Sequence, residues 1–334
     1  MGMAKRKYSK RSKNMEPAPM TFAFSFEAQP GANTKFVDLS QAASILNRRF
    51  YRQGVNWAVA GMKILNVDGM QGAFQCSKLP TTWVISNSWT KSFKVWQTMI
   101  RNAVDEPGME SIKGKFLDFK IFADSTHHEA GFGANLLPLD STATQGVPGQ
   151  WQSSVFVIPA AGTGIVSDRD IIAVGANLPG TSPATGNNAV SMVQGYADSR
   201  ALPYEQDPNV PVDASLNWML ALFNEGTLQD NAVVNDLEVL GDRAPYPFEG
   251  DGSNVDTMYP GGETQLASLE FHDIEYFTPT TISNTVRLKG GNFPCGLMRF
   301  DCVNDEDNAR TVTIVIDMIP GHHRGYLCET MNEM

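Results

Sequence analysis

Arg310-Thr-Val-Thr-Ile-Val-Ile-Asp-Met-Ile319 decides the fold class of this 334-residue chain. Val312, Ile314, Ile316 and Met318 fall on one side of the stretch, and Thr311, Thr313 and Asp317 on the other. A strict period of two built from β-branched residues is the pattern of a half-buried β-strand. Working outward, Gly296 to Cys302, Thr285 to Leu288 and Leu269 to Phe277 read as strands, so the last ninety residues are β-rich. At the other end Thr21-Phe-Ala-Phe-Ser-Phe26 alternates as strictly, with Phe22, Phe24 and Phe26 on one face.

Between these ends the signals are mixed. Asp38 to Gly54 reads as a short helix, capped by Asp38 or Ser40 and ended by Gly54. That helix places Arg48 and Arg52 at i and i+4. Val55 to Leu65 reads as a strand, Asp68-Gly69 as a hairpin turn, and Phe74 and Cys76 as part of the return strand. Asn87 or Ser88 caps a second helix that runs to about Val104, with Trp89, Phe93, Trp96, Ile100 and Ala103 on one face. Phe116 to Ala123, Ser154 to Pro159 and Ile171 to Val174 are further strand candidates. Helices are predicted from Asp213 and over Gln229 to Leu240. Pro245 to Gly262 is a long, turn-rich loop. Eight or more strands with three or four inserted helices and no βαβ rhythm imply a mainly β fold. The expected form is an antiparallel β-sandwich, in its jelly-roll version, over 21–334 as a single domain.

Apolar residues make up 42% of the chain, enough for a sizeable core, and the 29 Gly and 19 Pro suit a β-rich fold with many turns. No uninterrupted apolar stretch approaches the ~20 residues that span a bilayer. The four cysteines, Cys76, Cys295, Cys302 and Cys328, are scattered and too few for a disulfide framework. With no Asn-X-Ser/Thr sequon, they point to maturation in a reducing compartment.

Charge is distributed unevenly. Residues 1–13 hold Lys5, Arg6, Lys7, Lys10, Arg11 and Lys13 and no acid. The remaining 20 of the 26 basic residues face all 36 acidic ones, a formal charge of −16 on the body. So polar a tail cannot offset the entropy of ordering itself, and 1–20 is expected to be a disordered arm and linker. No apolar h-region follows the charges, no amphipathic helix suits a mitochondrial presequence, and Arg6 stands where a myristoylation signal needs Ser or Thr. A nucleic-acid arm and a nuclear-localisation signal remain, and one cluster serves both. Six charges give a salt slope of at most about −4 on single strands, weak for one arm and without base specificity. Useful affinity needs many arms on one polymer, so the tail favours an oligomer.

No catalytic constellation emerges. Gly108 to Lys115 has five residues between its glycines and Phe116 where a phosphate loop needs Ser or Thr. His127 and His128 are adjacent, a poor pair of metal ligands, and no His-Glu-x-x-His or Cys-x-x-Cys supports them. His322-His323-Arg324 suits a phosphate or a neighbouring subunit better than a metal. Asp273 and Glu275, two apart on a strand, share a face. A glycosidase or carbohydrate-binding sandwich could use such a pair, and a solvated strand face is the plainer reading. A third reading, a non-assembling single-strand DNA-binding protein, lacks aromatics interleaved with its basic residues. No cofactor, metal or catalytic residue is expected.

Asp38 to Gly61, Phe116 to His128, Asp256 to Gly262, Lys289 to Gly296 and Pro320 to Cys328 closely resemble segments of capsid proteins from environmental circular Rep-encoding single-stranded DNA viruses, the circovirus-like group. The resemblance runs from near residue 36 to the C-terminus. It implies a non-enzymatic jelly-roll subunit of a small icosahedral shell, 60 copies in the simplest case, around circular single-stranded DNA. It implies a virion protein with the basic arm inside the shell, and the arm adds a nuclear address during assembly. Arg48, Arg49 and Arg52 join the DNA-contacting set if their helix faces the interior. Subunit contacts are expected from sheet edges, the aromatic helix around Trp89 to Ile100 and the long loops.

Overall fold

The computed structural model describes residues 18–66, 69–105, 118–159, 166–178, 188–200 and 268–334. The predicted helices at 213 and 229–240, the loop 245–262 and the basic residues 5–13 lie outside these. The protein is mainly β, with antiparallel sheets, one curled into half a barrel.

Fourteen strands and four α-helices are described. β1 (Thr21–Ala28), β3 (Val55–Asn66), β9 (Thr285–Phe293), β11 (Arg310–Met318) and β14 (Cys328–Thr330) form one sheet. Its order is β1-β11-β3-β9, and β14 takes the first residues of β3 on the side that β11 leaves. The second sheet has the order β2-β10-β4-β8, from β2 (Gly31–Asp38), β10 (Leu297–Asn304), β4 (Gly72–Lys78) and β8 (Glu270–Phe277). The short connections β1–β2 and β8–β9 each carry the chain from one sheet to the other. β12 (Pro320–Gly321) and β13 (Gly325–Tyr326) form a small ribbon.

Alternation explains the packing. Phe22, Phe24 and Phe26 face Ile316, Ile314 and Val312 directly across β1–β11. Met62 and Ile64 of β3 continue the rows to Leu288 and Val286 of β9. Aromatic against β-branched pairs of this kind contribute about 0.2–1 kcal/mol each beyond Ala–Ala. Phe74, Cys76, Met298, Phe300, Cys302 and Phe277 of the other sheet enter the same buried cluster, so the two sheets share one core.

Nearly everything else is inserted between β4 and β8. α2 (Trp83–Asp105) lays Trp89 and Trp96 against Phe119, Phe156, Ile158 and Ile171 in a second core. β5 (Val155–Pro159), β6 (Val166–Ile172), β7 (Ala189–Ser191), α3 (Ser125–Ala130) and α4 (Met192–Arg200) complete the insertion. α2 starts four residues before Asn87, because Val84 and Ile85 are also drawn into this core. Trp89 and Trp96 are spent on the protein's own interior, which removes them from the expected subunit contacts. Ala103, placed on the apolar face, is exposed.

Three strand expectations change. β2 was unforeseen: its sequence, Gly-Ala-Asn-Thr-Lys-Phe-Val-Asp, does not alternate. In Phe116–Ala123, residues 118–121 form no strand and Phe122 makes only an isolated parallel bridge to Ile172. β6 pairs with β7 in parallel, an exception to the antiparallel rule. Among the described residues no helix is long and apolar enough to cross a membrane. All four cysteines are unbridged, three buried and Cys328 half-buried. Burial pushes their thiols up, to about 12 for Cys302 and Cys328.

Candidate nucleic-acid interface

α1 (Leu39–Asn47) begins where Asp38 accepts from the backbone N–H groups of Ser40 and Gln41, at 2.8 and 3.2 Å. Its other carboxylate oxygen accepts from Gln53 Nε2 at 2.8 Å and Trp151 Nε1 at 3.0 Å. Burial pushes this carboxyl up to about 6, against the pull of those four donors.

The helix ends seven residues short of Gly54. Arg48 adopts the left-handed conformation (φ 52°) and serves as the C-cap. Asn47 turns back onto Ala43 O, and the Tyr51 N–H donates to Ser44 Oγ at 2.9 Å. The turn lets Phe50 pack on Trp151 and beneath the Lys120 ammonium, while Tyr51 enters the core. Arg48 and Arg52 are therefore not successive turns of one helix. They lie on a turn with Arg49, and all three are exposed.

That turn abuts the C-terminal ribbon and the root of the arm. Tyr326 Oη donates to Pro19 O at 2.9 Å and accepts from Asn47 Nδ2 at 2.8 Å. Ala18 packs so closely on Gly325 (φ 110°) that a Cβ there would come within 2.7 Å of it. Tyr51 Oη donates to Arg324 O at 3.2 Å, and the Arg324 guanidinium donates to Phe50 O and lies 5.8 Å from the centre of the Tyr51 ring. Burial raises the Tyr51 pKa, and the nearby Arg49 and Arg324 charges oppose it. Arg324 adjoins Gly325, on which Ala18, the first described residue, packs, and exposed Arg48, Arg49 and Arg52 lie on the turn that follows Asn47, the residue bonded to Tyr326.

The histidines divide. His323 is half-buried against Tyr51 and Trp57, and burial, with Arg324 adding to it, lowers its pKa. His322 is exposed. His127 is fully buried in α3, stacked on Phe36 with ring centroids 4.3 Å apart. Its Nδ1 accepts from the Ala123 N–H, so the proton resides on Nε2 and is donated to Asn135 Oδ1 at 2.8 Å. His128 instead meets Asp170, with Nε2 3.0 Å from Oδ2. The two rings serve separate partners, and among the described residues no group of three or more His, Cys, Asp or Glu converges.

Burial pushes His127 down to about 4, so it folds neutral. The unfolded chain takes up a proton near 6.5 that the folded one refuses. Stability from this residue is whole above pH 6.5 and is lost as pH falls through 4, about 3 kcal/mol in all. Asp38 acts in the opposite sense, its contribution being greatest below its ordinary value near 3.8 and lost as pH rises through about 6. Urea unfolding of wild type and His127→Gln isolates the histidine. The wild-type advantage is expected to shrink steadily between pH 6.5 and 4, and a constant difference would refute the neutral buried assignment.

Asp273 and Glu275 share one face of β8, as the alternation requires. Asp273 is not solvated, however. One carboxylate oxygen accepts the Lys289 backbone N–H at 2.8 Å and the other lies 3.3 Å from Lys289 Nζ. Burial raises this carboxyl, but the contacts from Lys289 outweigh it and hold it below the usual range. Asp273 joins β8 of one sheet to β9 of the other.

Set against known protein families, characterised proteins and solved structures, the chain matches none of them.

Proposed function

We propose that this protein is a non-enzymatic capsid subunit. Many copies, 60 in the simplest icosahedron, close into a shell that packages circular single-stranded DNA without sequence preference. The observation that carries the reading is the order of strand pairing. Among the eight long strands of the two main sheets, the first pairs with the last (β1–β11), the second with the seventh (β2–β10), the third with the sixth (β3–β9) and the fourth with the fifth (β4–β8). Rolling such a ribbon brings β11 beside β3 and β10 beside β4, the remaining two pairings of the long strands. That order supports the jelly-roll reading, an architecture found in viral capsids, lectins and cupins.

Fold alone does not choose among these, so the site must. Six arm cations and the four arginines beside the arm's root favour a polyanion. Asp273, engaged by Lys289, disfavours a glycosidase pair. Phe271, Tyr276 and Val303 are exposed at 54%, 60% and 38%, and all three lie on the outer face of the β2-β10-β4-β8 sheet. An apolar sheet face of this kind suits contact with a second copy. In this reading the protein resides in the virion and, through its arm, in the host nucleus during assembly.

Expression, electron microscopy and nuclease treatment test the proposal together. Closed particles with protected nucleic acid are expected. A monomer active on a sugar, or an open filament on DNA, would overturn it. Charge reversal of Arg48, Arg49 and Arg52 should lower the DNA packaged per particle, and unchanged packaging would remove them from the interface.

A further inference from the structure

The outer face of the β1-β11-β3-β9 sheet carries a feature that the arm and its neighbouring arginines do not explain. A shallow depression of about 290 Å³ is lined by Gly61, Lys63, Arg287, Lys289, Gly290 and Asp317 with adjoining backbone. That is room for on the order of ten waters. Its floor comes from a bulge. β11 pairs Asp317 with Gly61 but Met318 with Val59, so Ala60 is extra in β3, and Gly290 of β9 packs against it. Bulges bend a strand and re-aim its side chains, and they recur beside binding sites.

The cations around this floor are arranged unfavourably for an empty surface. Lys63 and Arg287 are direct cross-strand partners, and like charges directly opposite each other destabilise a sheet. Asp317 pairs with Lys63, at 2.7 Å. Lys289 is held by Asp273 at 3.3 Å, with its side chain 79% exposed. Arg287 is exposed, and the described ion pairs leave it without a carboxylate. A bound anion between Lys63 and Arg287 turns the repulsion into attraction, and a guanidinium grips two phosphate oxygens at once.

The position matters as much as the charge. Thr21, Asp317, Gly61 and Lys289 form one row across the sheet, in which Thr21 Oγ1 donates to Asp317 at 2.9 Å. Met20, one residue before, accepts the Met318 N–H at 2.7 Å. The arm therefore leaves the fold beside the depression, and a strand captured by the arm reaches it at high local concentration.

We propose that Lys63, Arg287 and Lys289 form a subsite for a backbone phosphate of single-stranded nucleic acid, separate from the arm. The inference rests on the reading of the chain as a DNA-packaging subunit and adds a contact on the folded body. It places this sheet face toward the packaged strand.

The test is fluorescence anisotropy of the full-length chain with an oligothymidylate across 50–300 mM salt. Removing one phosphate-binding cation flattens the salt slope by about 0.7 on single strands. Arg287→Gln should flatten it by about 0.7, Lys63→Gln with Arg287→Gln by about 1.4, and Arg287→Lys should restore it. Arg101→Gln, an exposed cation on α2, should leave it unchanged. If the wild type does not bind at all, the DNA-packaging reading itself fails. If the wild type binds with a slope indifferent to Arg287, or Arg101→Gln flattens it equally, the subsite fails and the packaging reading stands. Inorganic pyrophosphate binding that depends on Arg287, without an effect of Arg287 on the oligonucleotide slope, would assign the depression to a free phosphate and overturn the proposal.

Discussion

Deleting residues 1–13 is expected to leave closed shells that contain little nucleic acid. The deletion removes six cations and no acid, and leaves a body of formal charge −16. Both cores, the strand pairings and the apolar face with Phe271 and Tyr276 lie outside the deleted segment. Six phosphate contacts give a slope of at most about −4. Between 50 and 200 mM salt that amounts to roughly two orders of magnitude in affinity per arm, multiplied across a shell by avidity. The arginines at the arm's root and the Arg287 depression retain some attraction, so the loss should be large but incomplete. Particle yield, the 260/280 nm absorbance ratio and nuclease-protected DNA measure it. Failure of shells to form would make the arm part of assembly, and undiminished DNA would show that the body packages without it.

Gly290→Ala is expected to cost about 3 kcal/mol, at the upper end of overpacking penalties. A Cβ at Gly290 would lie 2.3 Å from Ala60 O, 2.4 Å from Val59 O and 2.5 Å from Ala60 C. All three are backbone atoms of the bulge. They have no rotamer to adopt, and β11 holds β3 from the other side. Relief requires β9 to separate from β3, which opens the inner rows of Leu288 on Met62 and Val286 on Ile64. A drop in Tm of about 5–10 °C should follow. Gly61→Ala is the contrast, because its Cβ would meet only Leu288 O at 3.8 Å, an ordinary contact. If both variants melt together, the bulge is not where β3 and β9 approach most closely.

Legibility followed the physics of each signal. Arg310–Met318 and Thr21–Ala28 were readable because each buries one face against one core, and alternation is the direct record of that. β2 was not, because its buried residues bunch at Phe36-Val37-Asp38 while its first half is solvated. The arm was legible from charge alone. Its neighbours were only half legible: Arg48, Arg49 and Arg52 were found, but on a helix that stops at Asn47. Propensity favoured continuation, and the tertiary gain from burying Tyr51 and packing Phe50 on Trp151 ended it.

By itself the sequence determined the strand-rich class, the separation of a basic arm from an acidic body, and the absence of the short motifs that announce catalysis. These are properties of periodicity and charge, which a chain carries before it folds. Only the tertiary structure decided which strands pair, that His127 is held by buried partners and Asp273 by Lys289, and that Arg324 joins the arginines at the arm's root. It also decided that Lys63 meets Arg287. Cross-strand register and the approach of residues more than two hundred positions apart are set by how two sheets close over one core, and a local pattern holds no trace of that.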